Sequence, residues 1–320
     1  RRLAVDANNV LHQFLALVRK PDGTPLTDPQ GKVTSHLVGL AFRSTRLLYD
    51  YGVDLVFGVD GPPPRLKQRE VVKRREVKEK AAKEWMEALS KGDLPKAFSK
   101  AVVTGVLTRD MVEDAKKLLR LLGIPYVEAP SEGEAQAAFM AARGDVWAAN
   151  SRDFDSLLFG SPRLVRYVTI QGTEFLPSKG LVRRLKPEVI ELDRTLSHLG
   201  LTREQLIDVA ILLGTDFNEG VKGVGPVKAV RLIKSYGRLE ALPESIKSQL
   251  PSYVEEVREF FLSPPTTQDY RLEYRALDPE GLKRFLCDEK GFAEDRVDRL
   301  IERMKGFYAS KSQAKLLDWA

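Results

Sequence analysis

The chain has 320 residues, with 51 Lys and Arg, 45 Asp and Glu and 3 His, for a formal net charge of +6. Its 43% apolar and 30% charged residues support a sizeable core in one large domain or two and exclude wholesale disorder. No apolar run reaches the roughly 18 residues of a membrane span, no secretory signal is read at its start, and the one cysteine, Cys287, excludes a disulfide framework or cysteine-rich zinc site.

Arg2–Asp6 (RLAVD) is an apolar run ending in Asp and predicts a buried strand. Helical periodicity follows over 33–51, then a second buried strand over 53–60 (VDLVFGVD), again ending in Asp. The prolines at 62–64 stop regular structure. The stretch 65–91 lacks Gly and Pro and is rich in Ala, Lys, Glu and Arg, so it reads as helix. Arg109–Leu122 is an amphipathic helix stopped by Gly123. Strands are expected at 124–128, 146–149 and 164–169, and helices at 132–143 and 156–159. Strands alternating with helices predict an α/β fold, a mostly parallel sheet covered on both faces. From about Leu201 the pattern is helical without clear strands, and the polar residues after Ser310 read as a flexible tail.

The charge is concentrated. Residues 65–100 hold 12 Lys and Arg against 6 Asp and Glu, a surplus equal to that of the whole chain. A solvated helix with Glu–Lys pairs would have this composition. The concentration of the surplus favours an electrostatic surface for a polyanion.

Ligands of open α/β sheets bind beyond the carboxyl ends of the strands. Asp6 and Asp60 stand at such ends, as do Glu132 and Glu134 in APSEGEA, Asp153 and Asp155 in NSRDFDSLLF, and Asp216 in LLGTDF. Four of the later five have a plain structural alternative. Ser131 with Glu134 fits a capping box, Asp153 or Asp155 could cap the helix at 156–159, and Asp216 lies in a turn-like stretch. Taken together, seven converging acids would repel and raise one another's pKa unless cations neutralised them. A pair of hard divalent ions is the economical neutraliser, suited to in-line phosphoryl displacement, and needs no His base. Further on, Gly223-Val224-Gly225-Pro226 with Ala229 has the form of a helix–hairpin–helix. Its backbone N–H groups, with Lys222 and Lys228 beside them, could receive a phosphate of a duplex; a plain tight turn is the alternative.

The motifs LAVDANN, DLVFGVDGPPPRLKQRE, GIPYVEAPSEGEAQAA, DFDSLLFGSP and ILLGTDFNEGVKGVGP stand in the order and spacing of one family. On them the chain resembles the flap endonucleases of the structure-specific 5′ nuclease superfamily, in their archaeal form. The resemblance runs from Arg2 into the C-terminal tail. It implies a PIN-like or Rossmann-like nuclease core over 1–200 that carries a helical arch at 65–105. A helical region over 201–308, with the helix–hairpin–helix at 216–238, would pack on that core, and 309–320 would form the tail. Two Mg²⁺ ions, with Mn²⁺ able to substitute, are implied in one site. Asp6, Asp60, Glu132 and Glu134 match ligands of the first metal, and Asp153, Asp155 and Asp216 those of the second. Lys67 and Arg74 match the basic pair that reaches the scissile phosphate. Arg19 and the hairpin match duplex contacts, with a monovalent cation at the hairpin, and His12 stands where the family often has a stacking Tyr.

The tail residues Gln313, Leu316 and Trp319 resemble the sliding-clamp motif, with Ala320 in place of its last aromatic. The implied protein is an intracellular, cytoplasmic monomer that cuts DNA with a 5′ flap in replication and repair and recruits the clamp, with no membrane role. The compact gap between Asp60 and Glu132 favours the flap enzyme over a 5′ exonuclease or junction nuclease of the same superfamily. A DNA-binding scaffold without catalysis is the rival of another class. A carboxylate-dependent phosphatase lacks its second Asp, because residues 8 and 62 are Asn and Pro. Cys287 reads as a core thiol, His36 and His198 as helix-end or surface residues, and Trp85 and Trp147 as packing residues.

Overall fold

Leu3 to Asp6 are buried to the last residue, because strand β1 (Arg2–Asp6) is paired on both sides. An apolar run without polar alternation is what a strand covered on both faces requires. The computed structural model describes residues 1–320 except 21, 94–95, 98–99, 102–103, 170–172, 177–180 and 318–320, and omits side chains also at 68–75, 78, 173–176, 181–183 and 314–317. Strands β2 (Asp54–Val59), β3 (Tyr126–Glu128), β4 (Ala148–Asn150) and β5 (Arg163–Arg166) all run parallel to β1. Strands β6 (Thr173–Leu176) and β7 (Leu181–Arg184) form a separate antiparallel pair, and β8 (Glu188–Glu191) closes the main sheet antiparallel to β5. The order β3-β2-β1-β4-β5-β8 grows outward from β1 in both directions. The switch of direction lies between β1 and β4, the crevice in which open α/β sheets bind ligands.

Helices α1 (Ala7–Leu17), α2 (Ser35–Tyr49) and α4 (Arg109–Leu122) cover one face of the sheet. Their Leu11, Phe14, Leu40, Leu118 and Leu122 meet Leu3, Val5, Leu55 and Phe57. The basic helix α3 (Gln68–Ser90) stands between β2 and α4 in the chain. On the other face α5 (Gly133–Ala142) sets Ala137, Met140 and Ala141 against Ala4, Val56 and Ala149. Its approach depends on glycine, since a Cβ on Gly58 would lie 2.7 Å from the Gly133 carbonyl oxygen.

The short α6 (Asp155–Leu158) and α7 (Leu192–Leu199) lead to α8 (Arg203–Leu213), α9 (Pro226–Tyr236), α10 (Glu244–Lys247) and α11 (Val254–Leu262). Ile207, Ile211, Ile233, Val257 and Phe261 of this group join Ala135 and Ala138 of α5 in one cluster, so the helical region shares its core with the sheet domain. The chain then returns over the sheet without regular structure from 264 to 278. Along it the Tyr274 hydroxyl accepts from Leu55 N at 2.7 Å and donates to Leu55 O at 2.9 Å. A short α12 (Pro279–Lys283), a π-helical stretch (Arg284–Glu289) and the long α13 (Glu294–Leu317) complete the chain.

Three expectations are corrected. The stretch read as a flexible tail from 309 is helical through Leu317, because no breaker follows Gly306 and Lys311 pairs with Asp54 Oδ2 at 2.6 Å. His36, read as a helix-end or surface residue, does stand at a helix end, at the start of α2, but it is fully buried and the surface alternative fails. Helix α1 and strands β6 to β8 were not expected, and β8 is hidden by its charge: Glu188 and Glu191 pair with Arg166 and Arg163 of the neighbouring strand.

Candidate active site

Each acid at the carboxyl edge of the sheet is held by a local device. Asp6 ends β1 and caps α1, its Oδ1 accepting from Asn9 N at 3.0 Å. Asp60 follows β2, and its Oδ1 accepts from Gly133 N at 2.6 Å across the contact that glycine permits. Glu132 precedes α5 without capping it. Glu134, in the first turn of α5, turns its Oε1 to Ser156 and accepts from both N (2.8 Å) and Oγ (2.6 Å). The capping-box alternative therefore fails: Ser131 Oγ is buried with no hydrogen-bond partner, and Glu134 is engaged elsewhere. Asp153 Oδ2 accepts from Asn9 Nδ2 at 2.6 Å. Asp155 opens α6 while Phe154 takes the cap position with no side-chain bond, so neither Asp caps that helix. Asp216 sits in the tight turn closed by the Thr215–Asn218 bridge after α8.

Asn9, Asn8, Gly133 and Ser156 are the functional residues that the sequence reading missed. Asn9 bonds both Asp6 and Asp153 and accepts from Arg152 N at 3.2 Å, while Asn8 Oδ1 accepts from Asp60 N at 3.3 Å. Their signal was available: two of only four Asn in the chain stand two and three residues after Asp6.

The seven acids act on one another. Burial, and then the charge of Asp60, raises the Asp6 carboxyl well above the ordinary range. Burial and Glu132 push Asp60 up to about 6. Burial, Asp155 and Asp6 raise Glu134, and burial, Asp216 and Asp153 push Asp155 up to about 7. Lys67 reaches into this ring, its Nζ 2.7 Å from Glu132 Oε2 and 3.6 Å from Asp216 Oδ2. Burial opposes the ammonium's charge, but Glu132, Asp216 and Asp60 outweigh it and hold its pKa above the ordinary value.

As they stand, no three Asp, Glu, His or Cys among the described residues are gathered tightly enough to hold a metal ion. Like charges keep their distance, and a cation would have to draw these side chains together. The donor chemistry suits such an ion: buried carboxylates, pushed toward protonation by burial and by one another, are what a hard divalent cation neutralises.

The other expected residues lie around this ring. Lys222, Gly223, Gly225 and Lys228 are exposed at the start of α9. Gly223 adopts φ 76°, and its carbonyl accepts from Lys228 Nζ at 3.2 Å. Gly225 is the N-cap and Pro226 the first helical residue, so the backbone N–H groups of that turn are free of capping side chains. Arg19 is partly buried and closes its own loop, donating to Leu15 O and Gly23 O at 2.8 Å each. His12 is exposed on α1, and Gln313 is exposed near the end of α13. The side chains of Arg74 and Leu316, and all of Trp319, lie outside the described residues.

The chain matches the XPG N-terminal domain over residues 1–81 and the XPG I-region over 123–216. It is 48% identical to a protein named flap endonuclease 1 from Staphylothermus marinus, over 98% of this chain and 90% of that one. The identity to the flap endonuclease 1 of Pyrococcus abyssi is also 48%, over 100% of this chain and 92% of the relative. Among solved structures, the flap endonuclease-1 of Methanococcus jannaschii superposes with a TM-score of 0.75 at 38% identity, covering 97% of this chain and 93% of that one. The catalytic core of Rad2 in complex with DNA superposes at 0.68 and 25% identity, over 95% and 92%. With this identity over nearly its whole length, the chain belongs to the flap endonuclease family.

Proposed function

We propose that the chain is a structure-specific endonuclease, with accompanying 5′-3′ exonuclease activity, that hydrolyses DNA at the base of a 5′ flap in replication and repair. The observation that carries this reading is the ring of mutually repelling carboxylates, with Lys67 inside it, at the switch point of the sheet. Asp6, Asp60, Glu132 and Glu134 would hold one divalent cation and Asp153, Asp155 and Asp216 a second. Mg²⁺ is the natural occupant, and Mn²⁺ could substitute. Such ions activate water and stabilise charge on the leaving oxygen of a phosphodiester.

The chain's own residues do the rest. Lys67, with Arg74, holds a non-bridging oxygen of the scissile phosphate. The basic segment 65–105 guides the single-stranded flap by charge, and His12 stacks near the reacting nucleotide. Arg19, Lys222, Lys228 and the backbone of Gly223 and Gly225 grip duplex phosphates without reading sequence. A monovalent cation on the hairpin carbonyls belongs to the same reading.

The proposal extends to recruitment of a sliding clamp through Gln313, Leu316 and Trp319, by a monomer working inside the cell. No helix among the described residues is long and apolar enough to cross a membrane. A panel of flap, bubble and four-way-junction DNA with Mg²⁺ tests the reading. Preferred cutting of the flap is expected, and preferred cutting of the junction would reassign the chain within the superfamily.

A further inference from the structure

Between Asp153 and Asp155 stands Phe154, with 51% of its surface exposed, and it joins none of the hydrophobic clusters. Single exposed apolar residues are common and need no explanation. Phe154 differs in how it is mounted. The Arg166 guanidinium lies over its ring, 4.1 Å from the centroid. That guanidinium is itself fixed: its side chain is only 12% exposed, Nε donates to Arg152 O at 2.9 Å, and Nη1 is 3.5 Å from Glu188. Arg152 N in turn donates to Asn9, the residue that touches Asp6 and Asp153.

The next residue, Tyr167, is the one non-glycine among the described residues with positive φ, at 60°. Left-handed backbone is strained for a residue that carries a side chain. This strained turn lets the same guanidinium lie against the Tyr167 ring as well, 4.6 Å away. Two loops at the carboxyl edge, one after β4 and one after β5, are thus tied together to back one face of an aromatic ring beside the acids.

We infer that Phe154 is a stacking platform for a nucleobase of the cleaved strand, within one nucleotide of the scissile phosphate. The inference rests on the nuclease reading above and adds a positioning contact to it. A neutral π-face set between two carboxylates repels phosphate and accepts a base, and base–aromatic stacking tolerates any sequence. The Arg166 cation beneath the ring keeps it from folding back onto the carboxylates.

The test places 2-aminopurine next to the cut site of a flap DNA and follows its fluorescence on binding in chelator. The wild-type chain and Phe154→Tyr should quench it, and Phe154→Ala should not. In Mg²⁺, Phe154→Ala should lose between about 5- and 150-fold in kcat/KM, the range set by one lost base stack. Its melting temperature and half-saturating Mg²⁺ concentration should not change. Equal quenching by Phe154→Ala overturns the platform, and so does a raised Mg²⁺ requirement, which would make the ring a spacer for the acids. The quenching arm needs no cleavage, so it decides the platform even for a chain that fails to cut, an outcome that would count against the nuclease reading alone.

Discussion

Asn9 shows how one residue can organise a site without touching the chemistry. Its backbone N–H donates to Asp6 at the end of β1, and its side-chain amide donates to Asp153 beyond β4, across the switch point. Partners of this kind typically govern 10- to 100-fold in metal affinity or activity. Asn9→Ala should therefore lower cleavage by about that factor, read as a raised Mg²⁺ half-saturation with DNA affinity unchanged. An unchanged Mg²⁺ requirement would show that the bridge is idle.

His36 tests a different residue-scale claim. Both of its ring nitrogens are buried without a hydrogen-bond partner, and burial, with the nearby Lys290 charge, pushes its pKa down to about 4. The folded state refuses a proton that the unfolded chain takes near pH 6.5. Stability is thus fully present above about pH 6.5 and is lost as pH falls toward 4, by about 1.4 kcal/mol per pH unit at most. Urea unfolding across this window should show a shallower loss in His36→Met than in the wild type. Parallel curves would contradict the assignment. All seven acids were legible in the sequence, because Asp at a strand end and paired acids before short helices are local patterns. The bonds that aim them were not, since Asn9 and Asp153 are 144 positions apart.

At the scale of elements, the legible ones carried their own boundaries. Helix α4 begins at Thr108, whose side chain accepts from Met111 N, and ends at Gly123 in left-handed conformation, so both ends could be read from the sequence. Strand β1 was equally plain, with three apolar residues in a row ended by an acid. Strand β8 was not, because it is an edge strand whose outer residues are charged and whose partner is fixed only by tertiary pairing. The seam between β2 and α5 is the element contact on which the site depends, because it lets Gly133 N reach Asp60. Gly58→Ala should force these elements apart and cost about 1–3 kcal/mol, the usual penalty of overpacking. It should also reduce cleavage through Asp60. A variant with wild-type melting temperature would show that the seam can yield.

Across the whole molecule, opposite charges are segregated. The positive surplus lies in 65–100, which follows β2 in the chain, while seven acids crowd the carboxyl edge of the sheet. On the proposed function, a polyanion is attracted by the first and cut at the second. Lys80 and Lys83 are exposed on α3, and replacing both by Ala should reduce the salt dependence of flap binding by a slope of about 1.4, the value for two single-strand phosphate contacts. An unchanged slope would place the single strand elsewhere.

The most direct measurement is the product length from an end-labelled double-flap DNA, with Mg²⁺ and with chelator, for the wild-type chain and for Asp153→Asn. The account predicts one cut near the flap junction, made by the wild type only with Mg²⁺, and Asp153→Asn that binds the same DNA yet leaves it whole. Cleavage that survives the chelator, or turnover retained by Asp153→Asn, would contradict the role given to the carboxylates.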